Sequence, residues 1–243
     1  MQKVPYVRQV IFNRDRVVSF NKYPFNLPPV RAFDRLALHP AVTFIIGENG
    51  SGKSTILEAI AIEWGFNPEG GSKAFGFSTR PSHSELHDYL TLVKGPYSAK
   101  DGFFLRAESF FNVSTAVDMN GAFNAYGGRS LHEQSHGEAF IALLVHRFKG
   151  NGLYILDEPE AALSPQRQLA LLHRLDQLVK KQSQFIIATH SPIILSYPNA
   201  RIIEVSSKGL QEVAYKETDH YRTTRDFLNN YQRTLKLLME GVD

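Results

Sequence analysis

Three short stretches of the chain carry residues that could do chemistry. In "GENGSGKST" the segment Gly47-Glu48-Asn49-Gly50-Ser51-Gly52-Lys53-Ser54 fits the spacing G-x-x-x-x-G-K-[S/T], and Thr55 adds a second hydroxyl. Glycines at these positions let successive backbone N–H groups turn inward around phosphate oxygens. Lys53 would neutralise β and γ phosphates as a point charge, and the Ser54 hydroxyl would complete the coordination of Mg2+. In "LYILDEPE" an apolar run ends in Asp157 and Glu158. One carboxylate placed there suits the metal, commonly through water, and the next suits a base aimed at an attacking water. In "IIATHSP" His190 closes another apolar run, where an imidazole could meet a γ-phosphate or that water. The three stretches together point to nucleotide binding and phosphoryl transfer to water.

Groups so far apart in the chain meet only if strands bring their ends to one edge. "VTFIIG" reads as a buried strand, and "STILEAIAIEW" as a helix with Ile56, Leu57, Ile60 and Trp64 on one face. "GFFLRAESFF", "GLYILDEPE" and "SQFIIATHSP" read as further strands, alternating with helices over "SHGEAFIALLVHRF" and "SPQRQLALLHRLDQLVKK". Ser164 before Pro165, and Ser191 before Pro192, have the form of an N-cap followed by proline at the first helical position. The expected fold is α/β: a P-loop NTPase arrangement with a mostly parallel sheet flanked by helices, plus an antiparallel β subdomain and a small peripheral lobe. Ligands then bind beyond the carboxyl ends of the strands. "YVRQVIF" and "RVVSF" predict a hairpin near the N-terminus, and "RIIEVSSKGLQEVAY" a second one turning near Lys208-Gly209. Residues 65–102 are rich in Gly, Ser and Pro, with a short helix expected at "SHSELHDYLTLV"; they predict a peripheral lobe or mobile connector. The tail "TTRDFLNNYQRTLKLLME" places Phe227, Leu228, Tyr231, Leu235 and Leu238 on a helix face. Residues 1–243 are expected to form a single domain.

Composition narrows the field. With 243 residues and 43% hydrophobic content the chain can bury one sizeable core. It has no cysteine, which excludes disulfides, thiolate metal sites and cysteine nucleophiles. No apolar run has the length of a signal core or a membrane span, so a cytoplasmic protein with no membrane insertion of its own is expected. Net charge is +3, yet residues 1–35 hold seven Lys or Arg against Asp15 and Asp34. That excess could meet a phosphate backbone or be a solvated face.

The order of GENGSGKST, SHGE, ILDEPEAALS and ATHS resembles the ATP-binding cassette (ABC) ATPases, with the series spanning residues 47–191. In that resemblance the stretches stand for Walker A, the signature, Walker B with its D-loop, and the switch histidine. It implies ATP and Mg2+ as ligands and ATP hydrolysis with Glu158 as base. It also implies a homodimer in which Ser135 and Gly137 complete the partner's nucleotide site. Three positions depart from the family's usual pattern. His136 replaces a signature glycine, Ser164 stands at the D-loop position, and Glu108 is the nearest match to the glutamine between Walker A and the signature.

The spacer between Glu108 and Ser135 is short for the helical subdomain of transporter cassettes, and "DEPEAALSP" resembles the acidic motif of the recombination, chromosome-maintenance and overcoming-lysogenization-defect branch and its small stand-alone ATPases. Closure of the dimer would then be passed to DNA or to a protein partner. A transporter nucleotide-binding subunit and a non-hydrolytic ATP sensor are the alternatives. Among weaker signals, His83 and His87 are spaced for one face of a helix and could bind metal, although no third ligand accompanies them. Arg106 and Arg129 could reach phosphate or be surface arginines. Phe12, Phe20 or Tyr23 could stack on adenine or belong to the core.

Overall fold

The structure, a computed structural model, describes residues 4–72, 83–107, 110, 114–115, 128 and 130–240. Nine strands form two sheets. β5 (Asp101–Arg106), β6 (Gly152–Asp157), β7 (Gln184–Ala188), β3 (Val42–Ile46), β8 (Arg201–Ser206) and β9 (Gly209–Glu212) lie in that order in a six-stranded sheet. Every neighbouring pair is parallel except β8 with β9, which form the expected hairpin. β2 (Arg35–Ala37), β1 (Val7–Phe12) and β4 (Leu90–Lys94) make a separate antiparallel sheet.

β3, β6 and β7 are buried along their whole length, which is why they read as continuous apolar runs rather than alternating ones. Their side chains alternate between two cores. Phe44, Ile46, Tyr154, Leu156, Phe185 and Ile187 face one side, against Leu171, Leu175 and Leu178 of α4 (Pro165–Lys180) and Phe140 of α3 (His136–Ala142). Ile45, Leu153, Ile155, Ile186 and Ala188 face the other, against Ile56, Leu57 and Ile60 of α2 (Lys53–Trp64) and the antiparallel sheet. Gln184 ties that sheet to the large one. Its side-chain carbonyl accepts from the Tyr6 and Val7 N–H groups, both at 2.9 Å, and its amide donates to Val7 O at 2.8 Å and His39 O at 3.0 Å.

Several expectations are corrected. "RVVSF" does not pair with β1, because β2 and β4 occupy both of its edges. Residues 14–16 instead make a 3-10 turn, and Val18 is fully exposed. "SHSELHDYLTLV" gives a 3-10 turn over Glu85–Tyr89 and then β4, whose Leu90 and Leu92 alternate inward with a period of two. Within residues 85–94, Leu86, Leu90 and Leu92 are buried while Glu85, Asp88, Thr91 and Lys94 are exposed. The tail is two helices, α6 (Asp219–Asn229) and α7 (Tyr231–Glu240), following α1 (Pro28–Ala32) and the single turn α5 (Pro192–Leu195) earlier in the chain. Neither tail helix contains a buried residue, and Phe227, Leu228, Tyr231 and Leu238 face solvent. Ser164 and Ser191 do cap helices that begin with proline, each accepting backbone N–H donors. Among the described residues no helix is long and apolar enough to cross a membrane.

Candidate functional site

The three central strands end level with one another. Ile45 of β3 and Asp157 of β6 are both in register with Ala188 of β7. The Gly47–Gly52 loop, the Asp157-Glu158 pair and His190 therefore emerge side by side at one edge of the sheet. That is where a doubly covered parallel sheet places its ligands.

The loop is shaped for an anion. Gly47 sits at φ 148°, and a Cβ there would come within 2.3 Å of the Val205 carbonyl oxygen, so only glycine fits. Gly52 caps the N-terminus of α2, whose unpaired N–H groups and dipole favour negative charge. Lys53 is 3% exposed and folds back to donate to Gly47 O at 3.0 Å and Glu48 O at 2.8 Å. Burial pulls its ammonium below the usual lysine range, opposed by Glu158, Asp157 and Glu160. Ser51 Oγ is buried with no hydrogen-bond partner among the described residues, a donor left over at the loop's centre. Ser54 Oγ donates to Asp157 Oδ1 at 3.1 Å, which sets two hard oxygen ligands together as Mg2+ requires. Asn49, Gly50, Gly52, Lys53, Ser54, Thr55 and Glu158 share one cleft of about 270 Å3. The residues thus fit a polyphosphate with its magnesium.

Glu158 follows Asp157 in a left-handed backbone conformation, φ 50° and ψ 52°, unusual for a residue with a side chain. Its N–H donates to Ala188 O, and its carboxylate lies 3.5 Å from His190 Nε2. Burial holds His190 below the ordinary imidazole range, with Lys53 adding to the effect and Glu158 opposing it. A carboxylate and a neutral imidazole in this relation can take a proton from water and donate a hydrogen bond beside it.

Sequence reasoning missed the groups that hold His190. Glu160 accepts from the Thr189 hydroxyl at 2.7 Å and from the His190 backbone N–H at 2.5 Å. Burial pushes the Glu160 carboxyl above the usual range, against those two hydrogen bonds. Its proximity to Glu158 in "DEPE" was the available signal. On the other side of the ring, His190 Nδ1 lies 3.0 Å from Nε2 of His220, a contact between residues 30 apart that no local pattern announces.

Other expected residues form their own contact sets. Ser135 caps α3 in a reciprocal capping box with Glu138, while Ser135 and His136 are exposed. Gly137 is buried because Arg167 covers it: a Cβ would meet that guanidinium at 2.3 Å and Ala162 O at 3.0 Å. Ser164 accepts from the Arg167 N–H as the cap of α4. Arg106 is not a free surface arginine: it pairs with Glu58 and lies 3.7 Å from Asp157 Oδ2. Phe12 is core, stacked on Phe25 and Phe33, and Phe20 packs edge-on against it. Tyr23 is exposed, lines the phosphate cleft, and has its hydroxyl 3.3 Å from Thr55 Oγ1. His87 lies in a 3-10 turn with its Nδ1 3.0 Å from Ser84 O. No group of three His, Cys, Asp or Glu among the described residues could hold a metal. Glu108 and Arg129 lie outside the described residues.

Comparison with known proteins agrees with this geometry. A family model described as "AAA domain, putative AbiEii toxin, Type IV TA system" matches residues 122–196, and one described as "AAA domain" matches residues 19–115. An uncharacterized ABC transporter ATP-binding protein of Haemophilus influenzae is 24% identical over 222 residues, covering 82% of each chain. The ribose import ATP-binding protein RbsA of Yersinia pestis is 26% identical over 230 residues, covering 86% of this chain but 42% of its own length. The solved structure of cbiO1 from Clostridium perfringens, part of the ABC transporter complex cbiONQ, aligns over 98% of both chains with a TM-score of 0.47 and 19% identity. Fold, loop and sequence relatives together define a P-loop ATPase. Within that class, the curated relatives it is similar to are named as ABC transporter or import ATP-binding proteins.

Proposed function

We propose that this chain is an ABC-type ATPase that binds ATP with Mg2+, hydrolyses it, and closes as a homodimer around two nucleotides, passing closure to a DNA or protein partner. The observation that carries the reading is the convergence of Lys53, Ser54, Asp157, Glu158 and His190 at three strand ends in register. Gly47, Asn49, Gly50, Ser51 and Gly52 would surround the phosphates with backbone donors, and Thr55 would add its hydroxyl. Lys53 would exchange its two carbonyl partners for β and γ oxygens. Ser54 and Asp157 would hold the magnesium, which when bound offsets phosphate charge. Glu158 would take the proton of the attacking water, and His190 would donate to the oxygens on which charge develops. Tyr23, beside Thr55, is the aromatic best placed to meet the base.

Ser135 would serve the partner's site from the exposed start of α3, and Gly137 would join it once the Arg167 side chain moved off it. The acidic "DEPEAALSP" supports membership of the recombination and chromosome-maintenance branch over a transporter. A second reading, a transporter ATP-binding subunit, is favoured by what the relatives are called. It predicts co-purification with a membrane protein, which the first does not.

Steady-state ATP hydrolysis by the purified chain, across protein concentrations and with or without duplex DNA, tests the proposal. A rate per subunit that rises with concentration supports a dimeric enzyme, and a further rise with DNA identifies the partner class. Tight ATP binding with no turnover in any condition would leave a sensor in place of an enzyme.

A further inference from the structure

Two histidines from different elements meet at the edge of the site. His190 follows β7, and His220 stands in the first turn of α6. Their facing nitrogens, His190 Nδ1 and His220 Nε2, are 3.0 Å apart, with ring centroids 5.2 Å apart. His220 is held in place by its neighbours. Thr218 caps α6 through the Tyr221 N–H and donates to Tyr215 O, and Tyr215 donates to Pro192 O just past His190.

One proton lies between the rings, and its side is decided at the outer ends. If His190 carried it on Nδ1, its Nε2 would turn a lone pair toward the Glu158 carboxylate 3.5 Å away, and His220 would bury an N–H on Nδ1 with no partner. If His220 Nε2–H donates instead, His190 turns an Nε2–H toward the Glu158 carboxylate, a favourable electrostatic approach that stops short of a hydrogen bond, and His220 Nδ1 is left as a bare buried acceptor. Either way one ring N–H and one bare nitrogen lack a hydrogen bond, so the Glu158 carboxylate decides: it attracts an N–H at His190 Nε2 and repels a lone pair there. The second arrangement wins.

We propose that His220 is a positioning residue that donates to His190 Nδ1 and so fixes His190 as the Nε2–H tautomer, the form able to donate toward a γ-phosphate. This deepens the hydrolytic reading and rests on it. It also makes the first turn of the tail part of the site's machinery.

The test combines His220→Leu, His220→Gln and ring-nitrogen NMR of protein labelled with 15N-histidine, the His190 signals being assigned by their loss in His190→Gln. Wild type should show His190 protonated at Nε2 and bare at Nδ1 without any nucleotide, and His220→Leu should show a mixture of tautomers. His220→Leu should lower kcat about tenfold, while affinity for a fluorescent ATP analogue changes less than about twofold. His220→Gln, whose amide can still donate, should recover most of the rate. Equal losses in both variants would make His220 a packing residue, and wild-type turnover in His220→Leu, or an Nδ1-protonated His190 in wild type, would overturn the inference. Absence of ATP hydrolysis by wild type would sink the hydrolytic reading instead, while the NMR would still decide whether His220 sets the tautomer. Thermal melting of each variant separates unfolding from loss of the hydrogen bond.

Discussion

Glu158 is where a backbone constraint and a chemical task coincide. The left-handed conformation costs a residue with a side chain about 1–2 kcal/mol, and the Ala188 carbonyl holds it there. Glu158→Gln keeps that backbone and the size of the side chain but cannot accept a proton. Turnover should fall by about 100-fold or more. ATP binding should survive, with the dimer persisting on gel filtration in the presence of ATP; rapid turnover would remove Glu158 from the role of base. Lys53, Ser54, Asp157, Glu158 and His190 were legible because their spacing follows from strand and loop geometry. Glu160 and His220 were not, because what they touch is His190, and a contact across 30 positions leaves no periodic trace in the sequence.

Among elements, those that are buried on both faces were readable and those that depend on a distant partner were not. β3, β6 and β7 show as apolar runs, and the proline-started helices show their caps. The partners of β1 lie at Arg35–Ala37 and Leu90–Lys94, so the hairpin suggested by its neighbours in sequence does not form. The Gln184 clamp between the two sheets also escapes pattern reading, since one side-chain amide makes all four of its hydrogen bonds. Gln184→Ala would leave two buried N–H groups and two carbonyls short of partners, and should lower unfolding free energy by about 3 kcal/mol. Chemical denaturation measures this; a loss below about 0.5 kcal/mol would mean that water or the backbone replaces the clamp.

For the whole molecule, acid stability is anchored at the opposite end of the sheet from the site. The Asp101 carboxylate, at the start of β5, meets Arg147 Nη1 at 2.6 Å, the Lys149 N–H at 2.9 Å and the Tyr154 hydroxyl at 2.7 Å. Burial pushes its pKa up, but these donors outweigh it and hold it below the ordinary aspartate range. The unfolded chain therefore takes up this proton first, and the contribution to stability is full above the unfolded value, near pH 4, and fades as pH falls through the folded one. Asp101→Asn should cost about 3 kcal/mol at neutral pH and show a flatter decline in melting temperature on acidification. An unchanged acid profile would move the anchor elsewhere. The two tail helices bury no residue of their own, and the first turn of α6 is tied to the body through His220. Amide protons in such a segment trade with solvent through local opening, at free energies far below that of the interior. In deuterated water the chain should thus divide into a slow body and a fast appendage. A nucleotide that steadies His190 should slow exchange in the first turn of α6, making that turn a clock for occupancy of a loop far from it in sequence.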